Sequence, residues 1–214
     1  MPLVMPRLYV ILDAGLMTGS AEQTAQQLIE AGVRLIQYRS KGGSARETLA
    51  VSTKLATIAS EQGATFFVND RPDIAYLSGA AGVHVGQKDL SVEETRRVIG
   101  PEKWIGISTH NEAQFRAAIR TSADYVAVGP VFATKSKENP DPIVGVEFIR
   151  RVRGLTTKPI VAIGGITLER AAEVMEAGAD SVAVISDILC AENPAIRAKQ
   201  FLQVLQAVKP ATAQ

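Results

Sequence analysis

Eight short apolar runs, each ending in chemically reactive side chains and separated by stretches with helical spacing, constrain this chain more than any other feature. The runs fall at about 7–12, 33–38, 64–68, 82–85, 103–107, 124–128, 158–163 and 180–185. They are rich in Val and Ile and apolar throughout instead of alternating, as strands covered on both faces should be. Helical spacing occupies 21–31, 44–62, 91–99, 111–120, 145–153, 167–177 and 194–208, while Asp73 to Gly79 is too short for more than about two turns. Ser20 stands before the first of these segments and Gly32 after it. Ser44, with Glu47 in capping-box spacing, opens the second, which Gly63 closes, and Gly178 follows the segment 167–177.

Strands joined by helices must run parallel, right-handed crossovers wind them one way, and eight such units close into a barrel. The expected fold is therefore α/β, a (β/α)8 TIM barrel in a single domain over residues 1–214, with its core at about 7–208. An open doubly wound sheet would need a glycine-rich turn after the first strand, and Asp13-Ala14-Gly15-Leu16-Met17 lacks G-x-G-x-x-G. Most connections must be short. The exception, 129–144, is rich in Gly, Pro, Lys and Asp and long enough to act as a lid.

Composition excludes more than it assigns. A formal net charge of +1 gives no electrostatic reason to expect nucleic acid or an anionic membrane as partner. Local basic clusters, Arg96-Arg97 and Arg150-Arg151-Val152-Arg153, read as solvated helix faces. The single cysteine, Cys190, rules out an intrachain disulfide, and with no histidine beside it a catalytic role is not expected. The start of the sequence has no basic head with a long apolar core, and no run approaches the roughly 20 apolar residues of a membrane span. A cytoplasmic protein acting on small molecules is expected, and a homo-oligomer stays compatible with the sequence.

The strand ends carry the chemistry. Asp70 and Asp89 end consecutive units and should be neighbours across the barrel mouth; with the amide of Asn69 they make a hard oxygen site suited to magnesium. Asp89 in Asp89-Leu90-Ser91 could in part cap a helix instead, but two carboxylates at adjacent strand ends favour the metal. Gln37, Arg39 and Lys41 share a face if their strand continues, and Lys135 and Lys137 lie on the long loop. Cations on two sides of magnesium suit a diphosphate. Gly164-Gly165 and Ser186-Asp187 follow the last two strands, where barrel enzymes commonly bind phosphate, and Thr134 and Ser136 could add hydroxyls. His84, inside a strand, reads as a satisfied core histidine. A spacing of two does not by itself make Ser108 and His110 a pair, and no acid at fixed spacing completes a triad, so nucleophilic serine catalysis is rejected.

Read in order, several stretches resemble the thiamine phosphate synthase family over nearly the whole chain, from Tyr9 to about residue 205. They are Gln37-Tyr38-Arg39-Ser40-Lys41, Val68-Asn69-Asp70-Arg71, Gly82 to Asp89, Gly106-Ile107-Ser108-Thr109-His110, Tyr125 to Lys137, Ala162 to Ile166 and Ala183-Val184-Ile185-Ser186. The resemblance implies condensation of an aminopyrimidine-methyl diphosphate with a hydroxyethylthiazole phosphate. It implies Asp70 and Asp89 as Mg2+ ligands, Gln37 as a pyrimidine contact, and Arg39, Lys41, Asn69 and Lys137 around the diphosphate. Ser108 would stand at the reacting pyrimidine end, and Thr134, Ser136 and the backbone of Gly165, Ile185 and Ser186 would cradle the thiazole phosphate. Arg39, Lys41, Ser108 and Lys137 would carry catalysis. Ser136 replaces a common threonine and Ala133 a common proline; neither change removes chemistry. Thiazole tautomerases share the barrel but lack the diphosphate machinery, and a non-catalytic binder of thiamine phosphates has no need of both carboxylates and Lys137.

Overall fold

A computed structural model describes residues 5–134 and 141–208. Eight parallel strands close into a barrel in chain order. They are β1 (Leu8–Asp13), β2 (Leu35–Arg39), β3 (Thr65–Asn69), β4 (Gly82–Val85), β5 (Trp104–Thr109), β6 (Tyr125–Val128), β7 (Ile160–Ile163) and β8 (Ser181–Val184). The helices are α1 (Ala21–Glu30), α2 (Ala45–Glu61), α3 (Pro72–Leu77), α4 (Val92–Ile99), α5 (Glu112–Ala118), α6 (Val146–Arg153), α7 (Leu168–Glu176), the short α8 (Ser186–Leu189) and α9 (Pro194–Ala207). β1 pairs with both β2 and β8, which shuts the barrel.

Local signals set these boundaries. Ser20 accepts from the Gln23 N–H to start α1, and Ser44 and Glu47 form the reciprocal capping box of α2. β2 begins at Leu35, two residues later than the apolar run, because Val33 still bonds back to Leu28 as the chain leaves α1. β5 runs on to Thr109, which puts Ser108 inside a strand.

Strand alternation divides the core in two. One set of side chains, among them Tyr9, Ile11, Leu35, Phe67, Tyr125, Ala127, Val161 and Ala183, fills the barrel interior. The alternate set, including Val10, Leu12, Ile36, Phe66, Val68, Val83, Val126 and Val182, packs outward under the helices. Side chains alternate faces along a strand. Asp13, Gln37, Arg39 and Asn69 therefore share the interior face and lie at its C-terminal end.

The opposite end corrects one expectation. Arg97, Arg150 and Arg151 are exposed, but Arg96 and Arg153 are not solvated helix faces. Arg96 pairs with Asp124 at 2.8 Å and donates to the carbonyls of Gly100 and Ser122; the same Asp124 carboxylate accepts the Ile105 N–H. Arg153 repeats the device two strands on, pairing with Asp180 at 2.6 Å while Asp180 accepts the Ile160 N–H. Each arginine ties a helix C-terminus to the start of two strands, where cations also suit the helix dipole.

Candidate active site

The C-terminal rim holds two carboxylates that cap nothing. α4 is capped by Ser91, in a box with Glu94, and α3 starts at Arg71 without a side-chain cap. Asp89 is left to accept the Gly86 N–H at 2.7 Å. Asp70 has φ 60°, the described non-glycine residue in the left-handed region, and its N–H bonds to the His84 carbonyl at 2.7 Å. Such a conformation costs on the order of 1–3 kcal/mol and needs surrounding structure to hold it. Here β4 holds it, and the Asp70 carboxylate meets Lys41. Burial, and then repulsion from Asp70, push the Asp89 carboxyl above its ordinary range, against the opposing effect of the Gly86 N–H and Lys41.

A carboxyl raised in part by burial and in part by the charge of a close second carboxylate forms with it an oxygen site that a divalent cation would relieve. Among the described residues no group of three or more His, Cys, Asp or Glu could hold a metal, so any ion would take its remaining ligands from water or substrate. That donor set fits magnesium, which retains waters and binds phosphate oxygens. The Asn69 side chain at the end of β3 makes no hydrogen bond among the described residues.

Lys41 meets Asp70, and Arg39 ends β2, the strand beside β3. Arg39 is ion-paired with Asp13 at the end of β1, whose second oxygen accepts the Gly15 N–H at 2.9 Å. Asp13 is the positioning group that sequence reasoning missed. In the sequence it starts a turn without the glycine fingerprint, although it is also the polar end of the first apolar run. A cavity of about 410 Å³ opens between the β1 and β2 loops, lined by Asp13, Lys41, Gly42 and Gly43 among others.

The phosphate-cradle candidates also come together. The segment after β6 lies along β7: Val131 donates to the Ile163 carbonyl and Phe132 to that of Gly164, each at 2.9 Å. Gly164 and Gly165 have φ 101° and 62°. A Cβ at Gly165 would come within 2.3 Å of the Ala133 carbonyl, so close approach of the two loops requires the glycine. Thr134 follows directly, and Ile185 and Ser186 open α8 without a side-chain cap at the end of neighbouring β8. Ser136, Lys135 and Lys137 lie outside the described residues.

Gln37 and Ser108 are joined through the barrel. The Gln37 Nε2 donates to the Tyr9 hydroxyl at 2.6 Å, and Tyr9 and Tyr125 hydroxyls lie 3.2 Å apart. His84 places Nδ1 2.8 Å from the Tyr125 hydroxyl and Nε2 2.8 Å from the Ser108 hydroxyl. His84 is thus a satisfied interior histidine, and burial lowers its pKa to about 4. His110 has other partners than Ser108. Its Nδ1 bonds the Gly129 carbonyl at 2.6 Å and its Nε2 lies 3.5 Å from Asp141, so it ties both ends of the long loop.

Comparison with known proteins agrees with this geometry. The family model for thiamine monophosphate synthase matches residues 8–188. The chain is 50% identical over 210 residues to the thiamine-phosphate synthase of Koribacter versatilis, covering 96% of this chain and 98% of that one. It is 41% identical over 196 residues to that of Chloroflexus aurantiacus, covering 91% and 90%. Among solved structures, thiamine phosphate pyrophosphorylase from Pyrococcus furiosus superimposes with a TM-score of 0.86 at 31% identity, over 94% of this chain and 96% of that one. The 3-hexulose-6-phosphate synthase of Salmonella typhimurium, at 18% identity and a TM-score of 0.72 over 95% and 100%, shares the fold alone. With a family model spanning most of its length and half its residues identical to a relative of the same extent, the chain belongs to the thiamine monophosphate synthase family.

Proposed function

We propose that this protein is a thiamine-phosphate synthase. It would condense 4-amino-2-methyl-5-(diphosphomethyl)pyrimidine with 4-methyl-5-(2-phosphoethyl)thiazole to give thiamine phosphate and diphosphate. The observation that carries the reading is the Asp70–Asp89 pair with Lys41 on Asp70, in a chain of this family.

Breaking the C–O bond to diphosphate leaves negative charge that must be met where it forms. Arg39, Lys41, Asn69 and Lys137 are assigned to that charge. Magnesium held by Asp70 and Asp89 would supply Lewis-acid neutralisation of the departing group. Gln37 and Ser108 hold the pyrimidine, whose electron-rich ring stabilises the exocyclic carbon as diphosphate leaves. The thiazole nitrogen then forms the C–N bond. It arrives without a proton to lose, so no general base is needed and positioning does much of the work. Thr134 and Ser136, with the backbone of Gly165, Ile185 and Ser186, are assigned to the thiazole phosphate. The single cysteine suits a reducing compartment, and the cytoplasm is the proposed location.

The test mixes both substrates with pure protein and Mg2+ and measures diphosphate and thiamine phosphate. Equal release of the two products is expected, with loss on chelation. No turnover with authentic substrates and metal would overturn the reading, and thiazole isomerisation without diphosphate would identify a tautomerase.

A further inference from the structure

The interior hydrogen bonds can be given a direction by counting protons. Gln37 Nε2 has only hydrogens to give, so the Tyr9 oxygen accepts at that end. Tyr9 is 1% exposed and Tyr125 fully buried, and burial raises both phenols, so each keeps its one proton. With its oxygen already accepting from Gln37, Tyr9 must turn its proton to Tyr125. Tyr125 in turn donates to His84 Nδ1. A neutral ring that accepts at Nδ1 carries its hydrogen on Nε2, which donates to Ser108 Oγ. The Ser108 proton is then free to point away from His84. At the other end, no group among the described residues engages the Gln37 carbonyl oxygen.

We infer that Tyr9, Tyr125 and His84 are positioning residues: a one-way chain from Gln37 through Tyr9, Tyr125 and His84 to Ser108 fixes the Gln37 carbonyl as an acceptor and the Ser108 hydroxyl as a donor toward the pyrimidine. The inference rests on the synthase reading only for the identity of the ring. An acceptor and a donor match the polarity of an aminopyrimidine edge, which offers an amine N–H and a ring-nitrogen lone pair. A ring with a carbonyl in place of the amine would set acceptor against acceptor at Gln37. If the Gln37 amide were turned over, every bond in the chain would reverse, and the two ends would exchange roles together. The polarity of the two contacts is therefore one property, not two.

Gly106 is part of the same device. It faces Tyr125 in the β5–β6 register, and a Cβ there would fall 2.0 Å from the Tyr125 ring and 2.3 Å from its hydroxyl. Only glycine lets the phenol cross β5 to reach His84 on β4. The Gly106-Ile107-Ser108 stretch thus supplies both the passage and the terminal hydroxyl.

The direction can be read without substrate. The chain has two histidines, so imidazole nitrogens of 15N-labelled protein assign readily by long-range proton–nitrogen correlation near neutral pH. The Nε2–H tautomer of His84 is expected, and an Nδ1–H tautomer would overturn the direction. Tyr125→Phe should remove the donor to Nδ1 and move His84 to a mixture of tautomers; an unchanged spectrum would remove Tyr125 from the chain. In the assay, Tyr9→Phe should lower kcat/KM for the pyrimidine diphosphate roughly tenfold and leave KM for the thiazole phosphate unchanged. Combined with Ser108→Ala it should cost less than the product of the single losses, whereas independent losses would show that the two ends are not coupled. A correct tautomer in a protein without synthase turnover would leave the chain standing and remove the functional reading alone. The tautomer measurement on the unaltered protein stands even where a variant does not fold.

Discussion

Asp13 shows how one buried carboxylate can decide what a neighbouring cation does. Its two oxygens are divided between the Arg39 guanidinium and the Gly15 N–H, so Arg39 is held at the rim in one position. Asp13→Asn keeps an acceptor for Gly15 but removes the charge. The expected result is a loss of about 1–3 kcal/mol in urea unfolding, since one partner of a largely buried pair is left alone. A fall of roughly tenfold in kcat/KM for the pyrimidine diphosphate should accompany it, with little change for the thiazole phosphate. Equal losses for both substrates would take Arg39 away from the diphosphate. His84 makes a second residue-scale prediction. Its folded pKa of about 4 lies below the ordinary 6.5, so the unfolded chain binds a proton that the folded one refuses. Stability from this group is complete above about pH 6.5 and declines as the pH falls toward 4, by about 3 kcal/mol in all. Equilibrium unfolding of the wild type and His84→Asn over that range should show the variant with the shallower loss.

Elements were more legible than contacts. Every strand and every helix longer than α8 lies within about two residues of its apolar run or its caps, because burial on both faces and glycine stops are written locally. The strand ends were legible for the same reason: Gln37, Asn69, Asp70, Asp89 and Ser108 each lie at the end of an apolar run or within four residues after it. Partnership was not legible. That Arg39 pairs with Asp13, or that His84 joins Tyr125 to Ser108, depends on which strands are neighbours and on the sense of each pleat. The N-terminal ends of the strands hid a further pattern of this kind. Arg96–Asp124 and Arg153–Asp180 are the same staple two strands apart, and only the folded barrel shows that each aspartate also satisfies a strand N–H. Asp124→Ala should therefore lower stability by about 1–3 kcal/mol, from an orphaned N–H and an unpaired guanidinium. KM for both substrates should hold, because the staple sits at the end of the barrel away from the rim. A rise in KM without loss of stability would contradict that separation.

At the scale of the whole molecule, Asp124 and Asp180 at the strand starts are each matched by an arginine, while the rim where chemistry is proposed sets two carboxylates side by side beside its ion pairs. Asp70 and Asp89 stand close together where the strands end, with Lys41 paired to Asp70. Such a rim is costly to the free protein and favourable once a cation is bound. A ligand that binds only the folded state adds about 2.7 kcal/mol at one hundred times its Kd. For a chain of this size that is a rise of roughly 5–10 °C in melting temperature. Mg2+ with diphosphate should produce a shift of that order, and Mg2+ alone a smaller one. Asp89→Asn should melt no lower than the wild type without metal. Its amide can still accept from Gly86 while removing a carboxylate that burial and Asp70 both oppose. The sign follows from the raised pKa. A carboxyl that resists ionisation when folded costs stability above its folded pKa, and the neutral amide carries no such cost at pH 7. The same variant should lose most of the Mg2+-dependent shift and most of its turnover while still binding the thiazole phosphate. A free Asp89→Asn protein that melts clearly lower than the wild type, yet keeps the full metal shift, would show that Asp89 serves the fold and that the cation is held elsewhere on the rim.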